Sequence, residues 1–174
     1  MEQTDFSEFF HTRSESGNFM ARIANISDKV FETGFNLEKT LDRELGLEKK
    51  DKFLVFLREN NVSLDSPKEL KDFLDKLQQT ISKLPILYIN IAFDPSEETL
   101  KLLSEWFVLN AKKQFVFDIL VKPDLLAGAV LNFNGRFFDY SAKTKFEKIV
   151  KNVMNEELVS KIPNQQQSNT PSTN

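Results

Sequence analysis

Between Phe19 and Leu84 the apolar residues fall on helical spacings. Phe19, Ile23, Ile26 and Val30 step by four, three and four, the stripe of one helix expected over 19–33 and ended by Gly34. Leu37, Leu41 and Leu45 line a second, closed by Gly46. Phe53, Phe56 and Leu57 give the inward face of a third near 49–59, with Asn60-Asn61 as its stop. Ser66-Pro67-Lys68-Glu69 reads as a capping box with proline at the first helical position, and Leu70, Phe73, Leu74, Leu77, Ile81 and Leu84 continue that helix to Pro85. None of these helices is long enough to stand alone in water, so their stripes must bury one another in a small bundle over 19–84.

After Pro85 the period changes. Ile86 to Phe93 and Phe115 to Val121 are short runs rich in β-branched and aromatic residues and read as strands. Asp94-Pro95-Ser96-Glu97 between them reads as a helix start, with Asp94 the cap and Glu97 and Glu98 favouring the positive helix end. Leu100, Leu103, Trp106 and Phe107 follow on that helix. Leu126–Phe133 and Arg136–Tyr140 read as two further strands joined by Asn134-Gly135, a pair suited to the positive φ of a tight hairpin. Ser141 then caps a last helix carrying Phe146, Ile149, Val150 and Val153. The expected fold is α+β: a helical bundle followed by a β-α-β-β-β-α unit over 86–155. A polar arm (1–18) precedes them, and a Gln-, Asn- and Ser-rich tail (161–174) too polar to order itself follows.

Charge and composition narrow the chemistry. Of the 174 residues, 23 are Lys or Arg and 26 Asp or Glu, a net charge of −3 that argues against a nucleic-acid partner. The chain has no cysteine and a single histidine, His11, which speaks against thiolate catalysis, Cys-type zinc sites and a Ser-His-Asp triad. No apolar run approaches the roughly 20 residues that span a bilayer, so direct membrane insertion is not expected. The acidic start Met1-Glu2-Gln3-Thr4-Asp5 resembles neither a signal nor a transit peptide, which predicts an intracellular protein. Glycine-rich phosphate loops, a nucleophile elbow and paired-His metal motifs are absent from the sequence, and no cofactor is expected.

A few residues carry two readings. Phe6, Phe9 and Phe10 have i, i+3, i+4 spacing in the polar arm and either pack on the chain's own body or form a docking motif. Asp118 lies inside an apolar strand, turned outward beside Val116 and Leu120 or held as a buried acid. Asp139 and Ser141 shape a strand-to-helix turn or form a catalytic pair that lacks a third partner. Lys143, Lys145, Lys148 and Lys151, interrupted by Glu147, give a solvated face suited to an acidic partner helix rather than to nucleic acid.

The ordered set Val121-Lys122-Pro123-Asp124-Leu125-Leu126-Ala127-Gly128, the hairpin, and Asp139-Tyr140-Ser141 leading into Lys145-Phe146 resembles the C-terminal domain of the delta subunit of F-type ATP synthase, the family of the oligomycin-sensitivity-conferring protein. Pro123, Leu125 and Gly128 match the family's entry to the hairpin, and Asp139, Ser141, Lys145 and Phe146 match its exit. The resemblance covers roughly residues 86–150. Ala127 stands where the family has its first glycine and Tyr140 where a small residue is common, two enlargements that bear on backbone packing at the hairpin. The family also carries a larger helical bundle than the four helices read here.

The resemblance implies a non-catalytic peripheral-stalk subunit. Its partners would be the alpha subunits of the catalytic head and the b subunits of the stalk. Its place would be the cytoplasmic face of a bacterial inner membrane, as a peripheral part of a membrane complex. Two other readings stand beside it: an interaction adaptor of another complex with a similar α/β unit, and an enzyme or small-molecule-binding protein, which would need a deep pocket lined by converging polar groups.

Overall fold

A computed structural model of the chain describes residues 6–150. Val153, Lys151 and the tail at 161–174 therefore lie outside the described residues. Four helices come first: α1 (Arg13–Lys29), α2 (Leu37–Leu45), α3 (Leu47–Glu59) and α4 (Pro67–Ser82). Then follow β1 (Ile86–Ile91), α5 (Glu97–Ala111), β2 (Val116–Val121), a single 3-10 turn at Pro123–Leu125, β3 (Ala129–Phe133) and β4 (Arg136–Asp139). Residues 142–150 are helical and are called α6 below. The chain is mixed helix and strand, of the α+β class.

Helix α1 starts earlier than its apolar stripe predicts. Thr12 is the N-cap and accepts the Glu15 N–H at 3.2 Å, while Glu15 Oε2 accepts the N–H groups of His11 and Thr12 at 2.8 and 3.0 Å. This reciprocal box satisfies amides that a helix start leaves orphaned. Burial pushes the Glu15 carboxyl up, but those bonds outweigh it and hold the group below its ordinary value. The first turns of α1 face solvent and the sheet, so the stripe that marks the helix in sequence begins only at Phe19. At α4 Ser66 accepts the Glu69 N–H at 3.4 Å and Pro67 sits in the first turn, with no return bond from the Glu69 side chain. The cap of α5 is Ser96, not Asp94: its Oγ accepts the Thr99 N–H at 3.2 Å, and the helix begins at Glu97. Asp94-Pro95 lies instead in the irregular segment between β1 and α5.

The bundle core contains Phe19, Ile23, Leu41, Phe53, Leu57, Leu74 and their neighbours along the predicted stripes. Phe6, Phe9 and Phe10 belong to it as well, with 1%, 4% and 2% of their surface exposed. Phe9 lies 5.1 Å from Phe19, 5.9 Å from Phe53 and 5.7 Å from Phe56 between ring centroids, and Phe6 lies 6.0 Å from Phe56. Of the two readings of this segment, the structure has the rings packed on the chain's own body. Burying a Phe side chain contributes about 1.5–3 kcal/mol, so the three rings are a substantial part of the bundle's cohesion.

The sheet has the order β2-β1-β3-β4. β1 runs parallel to β2, in the register Leu87 to Phe117 and Ile89 to Ile119, and antiparallel to β3, with Ile89 opposite Leu131. The α5 crossover is what permits the parallel pair. Strand alternation puts Leu87, Ile89, Phe117 and Leu131 on one face, where they form a second core with Leu100, Leu103 and Phe107 of α5. Tyr88, Asp118, Leu120 and Phe137 share the opposite face by the same parity.

Candidate functional site

Of the residues singled out in the α/β unit, those from Pro123 to Phe146 lie in the hairpin, its approaches and the helix that leaves it. Its entry is a chain of tight turns. Leu125 N–H bonds to the Lys122 carbonyl at 3.1 Å, Leu126 N–H to that of Pro123 at 3.0 Å, and Ala127 N–H to that of Leu125 at 2.8 Å. Pro123 supplies the fixed φ for the first turn, and Leu125 is buried beneath it. Gly128 then takes φ +81°, and a Cβ built on it would lie 2.3 Å from the Tyr140 carbonyl oxygen. Two separate constraints, conformation and contact, therefore require glycine here. Ala127 is exposed, and the Tyr140 ring is directed to solvent, 62% exposed. The enlarged side chains thus stay outside the close backbone approach.

At the far end Asn134 and Gly135 have φ of 50° and 76°, the paired positive values of a tight hairpin, with Phe133 opposite Arg136. The return strand brings exit beside entry: Tyr140 N–H bonds to the Ala129 carbonyl at 2.9 Å and Ala142 N–H to that of Ala127 at 2.8 Å.

Asp139 and Ser141 close the turn into α6. Asp139 Oδ1 accepts the Ser141 N–H at 2.8 Å, and Oδ2 accepts the Thr144 hydroxyl. Ser141 Oγ in turn accepts the Thr144 N–H at 3.4 Å, an N-cap bond. The Thr144 hydroxyl first, and then Ser141, hold the Asp139 carboxyl down to about 2 from its ordinary 3.8. The carboxylate is thereby committed to holding a helix start. Asp118 is half-buried and pairs with Arg13 at 2.8 Å. That partner lies 105 residues away in sequence, beyond the reach of any local pattern. Asp94, Glu97 and Glu98 are exposed.

Past this turn the side chains face outward. Phe146 and Ile149 are 59% and 61% exposed, Val150 is also exposed, and Lys143, Lys145 and Lys148 surround them. Lys143 reaches back to Asp124 at 3.7 Å. A second apolar row runs along the outer side of α5, where Leu102, Trp106 and Leu109 recur at helical spacing. Singly exposed apolar residues are ordinary, whereas a row of them along one helix marks a contact surface. The residues that carry the resemblance thus divide in two: Pro123, Leu125, Gly128, Asn134, Gly135, Asp139 and Ser141 lie in the turns and strand ends, while Lys145 and Phe146 are presented to solvent.

The bundle has an open hollow of about 320 Å³ bounded by Phe9, Glu15, Arg22 and Lys49. Its acid is already committed to the α1 cap, and Lys49 Nζ donates to the Phe9 carbonyl at 2.9 Å. Among the described residues no group of three His, Asp or Glu side chains could hold a metal ion.

Comparison with known proteins bears on this surface. A family model described as the ATP synthase delta (OSCP) subunit matches residues 48–153, which takes in α3 to α6. The ATP synthase subunit delta of Thermotoga petrophila is 30% identical over 101 residues, 58% of this chain and 54% of that protein. That of Thermotoga maritima matches to the same extent. The subunit delta of Pseudothermotoga lettingae is 27% identical over 77 residues, 44% of this chain and 42% of its own length. The chain spans about half the length of the curated relatives it matches.

Proposed function

The chain belongs to the ATP synthase delta (OSCP) subunit family, and on that premise we propose that it is a non-catalytic stator subunit, tying the catalytic head to the b-subunit stalk during proton-driven ATP synthesis. The observation that carries this reading is the pairing of a rigid backbone device with an outward apolar row. The Gly128–Tyr140 contact and the Asp139–Ser141–Thr144 bonds fix the direction in which α6 leaves the sheet. On that helix Phe146, Ile149 and Val150 stand exposed among lysines. Such a face suits an amphipathic partner helix with acidic flanks, the recognition mode of a helix laid along an apolar stripe. The b subunits are the partner proposed for it, and the alpha subunits of the head for the helical bundle.

No helix among the described residues is long and apolar enough to cross a membrane. Attachment to the cytoplasmic face of a bacterial inner membrane would then come through the other subunits of the complex. A tagged chain expressed in its own host should co-purify with the alpha and b subunits under mild detergent. Recovery of the tagged chain as a free monomer, while the remaining subunits purify together without it, would reject the proposal. In that outcome the adaptor reading, with a different complex as partner, takes its place.

A further inference from the structure

Residues 6–13 touch both halves of the molecule. Their rings sit in the bundle core, yet their polar groups bond to β2 and the residues just before it. Phe6 N–H donates to Gln114 Oε1 at 2.9 Å in a buried bond. The Phe117 N–H donates to the His11 carbonyl at 2.9 Å, and Thr12 pairs with Phe117 as a parallel β-bridge. Arg13 Nη1 meets Asp118 Oδ2 at 2.8 Å. From the other side Val116, the first residue of β2, is buried in the bundle core, and its N–H bonds to the Pro85 carbonyl at 2.9 Å. β2 is an edge strand, so its outer amides would otherwise lie open to pairing.

We propose that residues 6–13 are a clasp that joins the helical bundle and the sheet into one rigid body. Force applied to one half then reaches the other through β2, in parallel with the short connection at 83–85. Without the clasp the two cores would be joined by that connection and by Val116 packed in the bundle, and could open separately. The inference rests on contacts within this chain and holds whether or not the chain serves as a stator.

Hydrogen exchange of the full chain, followed by mass spectrometry, tests it. In the unaltered protein the slowest amides of α4 and of β1 should show matching protection, because both halves open together. The variant Gln114→Ala/Asp118→Ala removes two clasp partners on the sheet side and leaves the ring cluster intact. In it the β1 amides should exchange at least tenfold faster relative to those of α4. Asp118→Arg alone, a substitution at the periphery, should shift the same ratio in the same direction, and the swapped pair Arg13→Asp/Asp118→Arg should restore it. Protection that already differs tenfold between α4 and β1 in the unaltered chain would overturn the proposal. So would an unchanged ratio in the double-alanine variant, or no rescue by the swapped pair.

Discussion

Gly128 faces the Tyr140 carbonyl so closely that the two strands of the hairpin meet backbone to backbone, with no room for a methyl group: the added carbon would sit 2.3 Å from the oxygen. Gly128→Ala must therefore displace the strand exit as well as adopt φ +81° with a side chain. A loss of about 2–4 kcal/mol is expected, in line with strain at a special backbone position. Urea unfolding at constant slope measures it; a loss below about 1 kcal/mol would mean that the hairpin shifts freely.

Gly17 presents the opposite case. It lies in α1, and a Cβ there meets nothing within 4 Å. Gly17→Ala should raise stability by about 0.5–1 kcal/mol through helix propensity alone. A neutral or negative shift in the unfolding midpoint would contradict the placement of residue 17 in an open helical turn.

The aromatic cluster offers a paired measurement. Phe6→Ala should cost about 3–4 kcal/mol, since the ring is fully buried and its removal leaves a cavity in the core. Phe137→Ala, at 69% exposure, should change stability by no more than about 0.5 kcal/mol. Thermal unfolding of the two variants side by side separates a core role of the N-terminal segment from a surface one: similar small losses would place Phe6 outside the core.

Asp139 ties stability to pH. Its folded value, about 2, lies below its ordinary 3.8. The unfolded state therefore binds this proton more readily. The stabilisation is fully present above about pH 4 and is lost as pH falls toward 2. Asp139→Asn should flatten that part of the acid-unfolding profile, and Thr144→Val should move the Asp139 carboxyl titration upward in an NMR pH series. An unmoved titration in Thr144→Val would remove the hydroxyl as its principal cause.

The exposed row on α6 separates binding from folding. Phe146→Ser and Ile149→Asp should weaken co-purification or affinity for a stalk partner at least tenfold, the range of an interface anchor. Their unfolding temperatures should stay within a degree or two of the parent's, because both side chains are mostly exposed. Undiminished binding by both variants would move the contact to another face.

Local chemistry made part of this molecule legible from its sequence. Ser66-Pro67 places the start of α4 and Asn134-Gly135 the hairpin turn, because each signal is complete within a few residues. The start of α1 was harder: Thr12-Arg13-Ser14-Glu15 holds the capping pattern, but the helix's first buried apolar side chain is Phe19. At α5 the Asp94-Pro95 pattern points to a start two residues too early, and only the bond from the Thr99 N–H to Ser96 Oγ places the cap. Gln114, Arg13 and Asp118 could not be connected in advance, since their partners are more than a hundred residues distant. The outward direction of Phe146 was equally hidden, because an amphipathic stripe looks the same whether its own fold or a foreign helix covers it.

The sole tryptophan of the chain, Trp106, lies more than half exposed with its indole edge-on to Phe107. Its emission should report the wetness of that flank directly. A bound molecule that shields α5 would shift the spectrum to shorter wavelength without any dye, and one that settles elsewhere would leave the colour as it was.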